Sequence, residues 1–400
     1  MRHSAAGQAV ITVLIVDDSA VQRRFLRAAI DADPAFQVAG EARNGREAVA
    51  LVDRLRPAIV LMDLDLPVMN GIEAIERIMA SHPTPIVVYS AYVDGTDSPN
   101  ALAATAAGAV DIVAKPAPGD HVGLDGYARD LRGRLRVASR ARVITHPRGR
   151  LRQSGFSKST NGTDVIKGEA RPNGPAETTP KMPQLQTVAA PRAISTLADP
   201  VRLVVIGAST GGPQALAQLF SSLPGDFEPA ILVVQHMADG FIESLASWLD
   251  EMGPLSVCVG ESGRKLEPGS VTVAPSGLNI VVHDRRLRVT CDSPPPTQFH
   301  VPGIDITFRS VADNVGSDAI GVLLTGMGRD GAVGLKAMHD CGATTIAQDE
   351  ATSAVYGMPA AAEALGAVDF GLPMPEIAPA LLALVGHEQV QEASAREARA

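Results

Sequence analysis

Between Ile11 and about Pro118, five short apolar runs (ITVLIV, FQVAGEA, AIVLMD, PIVVYS and AVDIVA) alternate with segments of helical period such as NGREAVALVDRL and GIEAIERIMAS. Continuous β-branched runs of this length read as strands buried on both faces, and five strand–helix units predict a doubly wound, five-stranded parallel sheet of flavodoxin-like type. The pattern returns from Val201 to about Gly386, with VRLVVIG, AILVVQ and AIGVLLTG as its clearest strands. A second α/β domain follows, its sheet mostly parallel and Rossmann-like.

Between the halves the periodicity is lost. A helix rich in arginine (YARDLRGRLRVASRARV, with Arg129, Arg132, Arg134, Arg136, Arg140 and Arg142) leads into a stretch dominated by Ser, Thr, Asn, Gly and Pro. A solvated face accounts for the arginines more simply than a docking surface for an acidic partner. The polar stretch reads as a flexible linker. The division that follows is 9–122 for the first domain, 123–200 for the arginine-rich helix and linker, and 201–387 for the second domain. The final residues, EQVQEASAREARA, are polar and expected to fray.

Composition narrows the function classes. The chain has 400 residues, too many for one ordinary core, and its 46% hydrophobic content excludes wholesale disorder. A net charge of -9 argues against nucleic acid as a partner. The run AVITVLIV is too short for a signal or spanning segment, so no membrane insertion is expected. Cys258, Cys291 and Cys341 form no CxxC, which suits a reducing, cytoplasmic setting.

Candidate chemistry collects at strand ends. In the first half Asp17 and Asp18 end the first strand, Asp63 the third, Ser90 the fourth, and Lys115–Pro116 the fifth. A parallel doubly wound sheet brings all of these to one edge. Clustered carboxylates repel unless a hard cation neutralises them, and a lysine with a hydroxyl supplies donors to a phosphoryl group. This half resembles a response-regulator receiver domain over nearly all of Ile11–Pro118. The resemblance implies Asp63 as phosphoacceptor, Asp17, Asp18 and Asp63 as Mg²⁺ ligands with the Asp65 carbonyl, and Ser90 with Lys115 as the switch pair. The family's usual aromatic switch position holds Ile112, and Leu66 stands for the common Met of its turn.

In the second half, VRLVVIGASTGG runs a strand into Ser209 and then into Gly211, Gly212 and Pro213, which open a helix. Ser209 could be a nucleophile, part of a phosphate cradle, or a tight turn. A P-loop needs a lysine after its last glycine, where Pro213 stands. A dinucleotide site needs GxGxxG and an acidic residue ending the next strand, which ends instead in Gln235–His236. A nucleophile needs a base and an orienting group, and His236 and Asp330 lie at the same sheet edge. Gly211, Gly326, Gly328 and Gly331 offer amides suited to an oxyanion.

The segments VVIGASTGG, VVQHM..GF and LLTGMGRDGA…AQDEAT..VYGMP resemble the chemotaxis protein-glutamate methylesterase/protein-glutamine glutaminase family across almost the whole second domain. The resemblance implies a phosphorylation-regulated serine hydrolase that removes methyl esters from chemoreceptor glutamates and deamidates receptor glutamines, with no cofactor for the esterase. It implies Ser209 as nucleophile, His236 as base, Asp330 as its orienter, and Thr210, Gly211 and Met327 for the oxyanion and positioning. Implied partners are methyl-accepting chemoreceptors and a cognate histidine kinase. The chain departs from the family's usual motifs in QHMADGF for QHMPPGF, in Asn279 where histidine is common, and in Val301 and Gly303 within FHVPGID. Those departures motivate an alternative, a phosphorylation-dependent binding module with a degenerate esterase site. A long tether alone holds two domains weakly, so appreciable basal activity is expected unless the domains share a sizeable interface.

Overall fold

A computed structural model describes residues 10–90, 98–116, 124–143, 201–295, 298 and 300–386. The linker and the polar C-terminal tail fall outside these residues. Strands β1 (Ile11–Val16), β2 (Phe36–Ala42), β3 (Ile59–Met62), β4 (Ile86–Ser90) and β5 (Asp111–Ala114) form one parallel sheet in the order β2-β1-β3-β4-β5. Period-two alternation sends Leu14, Val16, Val60, Met62 and Val88 to one face and Val13, Ile15, Leu61, Val87 and Tyr89 to the other. Helices α2 (Gly45–Leu55), α3 (Gly71–Ser81) and α4 (Ser98–Ala107) supply side chains to the first cluster, and α1 (Ala20–Asp31) and α5 (Leu124–Ala138) to the second. Three helix starts are fixed by side-chain caps: Ser19, Asn44 and Asn70 accept from the amides of Gln22, Glu47 and Glu73.

The arginine-rich helix, grouped above with the linker, is α5 of this first unit. Its Leu131 and Leu135 are wholly buried, each worth about 1.5–3 kcal/mol as core side chains. Three of its arginines are occupied within the first unit: Arg136 meets Asp33 at 2.7 Å, Arg134 meets Asp130 at 3.0 Å, and Arg132 donates to the Ala29 carbonyl. The apolar i, i+4 pair explains the packing that the arginine count obscured.

The second unit has seven parallel strands in the order β14-β13-β12-β6-β7-β9-β8, namely β6 (Leu203–Ala208), β7 (Ala230–Gln235), β8 (Ser256–Val259), β9 (Ser270–Val273), β12 (Ala319–Leu323), β13 (Thr344–Gln348) and β14 (Phe370–Leu372). An antiparallel hairpin, β10 (Asn279–Val282) with β11 (Val289–Asp292), is appended. One face is covered by α6 (Gly212–Ser222), α7 (Ile242–Met252) and α11 (Met374–Val385), the other by α8 (Ile304–Asn314), α9 (Ala332–Asp340) and α10 (Met358–Ala364). From β6 the chain builds outward through β7 on one side. From β12, beside β6, it builds outward through β13 and β14 on the other. The topological switch point therefore lies between β6 and β12, where open α/β sheets hold their ligands.

The two units pack together. Phe241, ahead of α7, is buried in the apolar cluster of the first unit, with Met237 and Ala238 against it. Gln214 on α6 donates to the Thr105 carbonyl at 2.6 Å. Among the described residues no helix is long and apolar enough to cross a membrane.

Candidate active site

At the first sheet's carboxyl edge, Asp17 and Asp63 are buried and Asp18 is exposed, and oxygens of the three lie within 4.8 Å of one another. Lys115 Nζ stands 2.7 Å from Asp63 Oδ2 and 3.1 Å from Asp17 Oδ2. Asp63 Oδ1 accepts the Leu64 amide at 2.8 Å. Burial pushes the Asp63 carboxyl up to about 6, with the Asp17 charge adding to it, and Lys115 only partly offsets them. Burial lowers the affinity of Lys115 for its proton, but the two carboxylates outweigh it and hold the ammonium above the ordinary lysine range. One lysine is too little charge for three carboxylates, and Asp17 Oδ2 has no well-aligned donor, so the donor set fits a hard divalent cation. Ser90 is buried at the end of β4, and its carbonyl accepts the Lys115 amide at 2.7 Å. Asp65 is exposed on the loop beyond Asp63. Ile112 is buried in the sheet core.

The second site is built at the switch point. Ala208 and Gln235 are in register, so Ser209 and His236 leave β6 and β7 side by side, at the strand spacing of about 4.8 Å. The Ser209 amide donates to the Thr325 carbonyl beyond β12 at 3.0 Å. Gly211 has φ 79°, and a Cβ there would stand 2.6 Å from Ala354 Cβ. A Cβ on Gly326 would stand 2.7 Å from Ser209 Cβ, so glycine opens the approach to the serine.

His236 Nε2 lies 2.9 Å from Asp330 Oδ2, off the ideal direction of its ring N–H. Asp330 also accepts the amides of Ile304 (2.9 Å), Asp305 (3.0 Å) and Gly331 (3.0 Å). It thereby caps α8, which begins after Gly303 with no cap from its own segment. Burial works against ionising Asp330, but His236 and these amides prevail and hold its carboxyl below the usual range. Asp330 is a charged, fixed acceptor.

Of the candidate oxyanion donors, the amides of Gly211, Gly326 and Gly331 are taken by Val110 O, Val355 O and Asp330 Oδ1. Thr210 is buried and Met327 exposed, and their amides donate to no acceptor among the described residues. Sequence reasoning missed Thr325 and gave Gln235 no role. The Gln235 amide donates to the carbonyls of Ser209 (2.9 Å) and His236 (2.7 Å), and Thr325 Oγ1 donates to the Thr210 carbonyl at 3.0 Å. Each is a polar residue ending an apolar strand run (VVQH, LLTG), a signal the sequence carried.

Two of the departures from the resembled motifs, Asn279 and Asp239, make local hydrogen bonds, and nothing in the structure explains Val301. Asn279 and Gln298 exchange two amide hydrogen bonds of 2.8 Å, and Asn279 Oδ1 accepts the Gly303 amide. Asp239, where a loop proline is usual, accepts a 2.7 Å bond from Ser276.

Fold and site together define a two-domain response regulator, a receiver joined to an α/β domain with serine, histidine and aspartate at its switch point. The receiver model, "Response regulator receiver domain", matches residues 13–122, and "CheB methylesterase" matches residues 204–381. A protein-glutamate methylesterase/protein-glutamine glutaminase from Anaeromyxobacter dehalogenans is 42% identical over 94% of this chain and 98% of its own. Another, from Cupriavidus pinatubonensis, is 41% identical over 92% of this chain and 96% of its own. The crystallised Thermotoga maritima CheB methylesterase catalytic domain is 37% identical, covering 46% of this chain and 97% of its own, with a TM-score of 0.44. The chain belongs to the protein-glutamate methylesterase/protein-glutamine glutaminase family, the receiver-regulated hydrolases of the CheB class.

Proposed function

We propose that this protein hydrolyses the γ-methyl esters of glutamates on methyl-accepting chemoreceptors, and deamidates receptor glutamines, with Ser209 as nucleophile. The convergence of Ser209, His236 and Asp330 on one sheet edge carries the reading. With Nε2 turned to Asp330, Nδ1 is the nitrogen that takes the serine proton. Oγ bonds to the ester carbonyl carbon, and the oxyanion meets the amides of Thr210 and Met327. As the tetrahedral adduct collapses the C–O bond to methoxide breaks, and His236 returns the proton to give methanol. Water, deprotonated by the same imidazole, cleaves the acyl-enzyme to glutamate and free serine. Asp330 holds the tautomer and stabilises the imidazolium. For glutamine, ammonia leaves in place of methanol.

A cognate histidine kinase phosphorylates Asp63. Asp17, Asp18 and Asp63, with the Asp65 carbonyl, would hold Mg²⁺, which neutralises charge on the incoming phosphoryl group. Lys115 and Ser90 contact the phosphoryl oxygens. Phosphorylation adds roughly −1.5 to −2 charges, which reorders that edge and loosens the receiver from the serine turn. Contacts between the units, with Phe241 buried in the first unit's core and Gln214 bonded to Thr105, favour restraint of the unphosphorylated chain beyond what a long tether alone gives. Methanol release from methylated receptor membranes tests the assignment. Ser209→Ala abolishes it, and undiminished release by that variant sinks the proposal.

A further inference from the structure

His300 stands outside the serine–histidine–aspartate set, yet its imidazole lies parallel to that of His236, with centroids 4.9 Å and planes 12° apart. A parallel stack fixes the plane of a ring and leaves its edges free for hydrogen bonds. His300 is itself held. Gln298 Nε2 donates to the His300 carbonyl at 2.6 Å while exchanging amide bonds with Asn279. Asn279 also accepts the Gly303 amide at 2.8 Å, so both ends of the His300 segment hang on one buried asparagine.

The charges around the stacked pair are Asp330 at the edge of His236 and, from α5 of the receiver, Asp130 and Arg134. Although His300 is exposed at its outer side, desolvation of its ring and then the neighbouring His236 hold it below the ordinary imidazole range, which favours its neutral form. A neutral π-face attracts the charge that a stacked ring gains on protonation.

We propose that His300 is a positioning residue for the esterase reaction, holding the plane of the His236 ring and stabilising the imidazolium that ring becomes. The inference rests on Ser209 and His236 being nucleophile and base. The stabilisation exists only after the serine proton has moved, so it acts on kcat and leaves substrate binding alone.

The test uses the full chain, phosphorylated with acetyl phosphate, acting on methylated receptor membranes. His300→Ala lowers kcat about tenfold with KM unchanged. The acid limb of its kcat/KM profile moves to lower pH, because the His236 imidazolium is less stable. His300→Phe, which keeps a π-face and cannot titrate, restores kcat to within about twofold and returns the limb. If His300→Ala does not fold, His300→Leu fills the same space without a π-face and takes its place. Unchanged kcat in the alanine or leucine variant, or a phenylalanine variant as slow as they are, overturns the proposal. A wild-type chain that releases no more methanol than Ser209→Ala overturns instead the assignment beneath it.

Discussion

The Gly211 amide, two residues past Ser209, donates a 3.0 Å hydrogen bond to the Val110 carbonyl just ahead of β5 in the receiver. One backbone bond thus joins the turn that presents the serine to the strand that carries Lys115. Any reordering of the phosphoryl edge that shifts β5 changes this contact.

Gln214 reinforces that junction through the carbonyls of Thr105 (2.6 Å) and Ala109 (3.4 Å). A hydrogen bond of this kind contributes about 0.5–1.5 kcal/mol, which bounds the shift its loss can cause in a closed–open equilibrium. Gln214→Ala is expected to raise methanol release by the unphosphorylated chain about two- to tenfold and to leave the phosphorylated rate unchanged. Arg142→Ala is the contrast, since its 3.4 Å pair with Glu350 is exposed on both sides and contributes little. Equal effects from the two variants count against a specific role for Gln214.

Much of this was legible in the sequence, and for identifiable reasons. Strand runs bounded by Gly, Asp and Ser gave all five strands of the first sheet but only β6, β7 and β12 of the second. Its short outer strands β8, β9 and β14 have three or four residues and too little apolar run to stand out. The strand-end rule brought Asp17, Asp63, Ser90 and Lys115 to one edge and Ser209, His236 and Asp330 to the other. Contacts between distant segments were not legible. Nothing in local pattern pairs Asn279 with Gln298, stacks His300 on His236, or gives the Gly211 amide to Val110, because each depends on how separate loops and domains meet.

Asp63 titrates in the opposite sense to a stabilising carboxylate. Its folded value, about 6, lies above the ordinary 3.8, so the native state keeps a proton that the unfolded chain releases. Stability therefore falls as pH rises from about 4 to 6 and changes no further above that, by at most ~3 kcal/mol. Asp63→Asn removes this dependence. In EDTA, urea midpoints of receiver unfolding for wild type and variant should diverge with rising pH across that window. Mg²⁺ at pH 7 should narrow the gap. A difference that is constant from pH 4 to 7 refutes the account.

Asp330 combines a catalytic and a structural duty, and two substitutions separate them. Asp330→Asn keeps an acceptor for the α8 amides but loses the charge facing His236, so kcat is expected to fall about 10³–10⁴-fold with a modest stability loss. Asp330→Ala leaves three amides without their acceptor and is expected to cost about 2–3 kcal/mol in addition. Because the folded carboxyl titrates below its unfolded value, its stabilisation is full above about pH 4 and is lost only as pH falls through the folded value. Equal urea midpoints for the two variants would show that Asp330 does not cap α8.

Asn279 and Gln298 form a reciprocal amide pair, so neither side chain keeps its full set of partners once the other is gone. Asn279→Ala removes the acceptor of Gly303 and strands the Gln298 amide, and should cost about 1–3 kcal/mol. Gln298→Ala frees the His300 carbonyl and should cost less, because Gln298 is only half-buried and His300 is exposed. Residues that share one hydrogen-bond unit are not additive, and the double variant should fall short of the sum by about 1 kcal/mol or more. The same coupling should appear in kcat, since both side chains act on the reaction through the seat of His300. A double-mutant cycle in urea midpoint and in methanol release measures both terms. Additive stabilities and additive rates would mean that the loop finds its position without the pair.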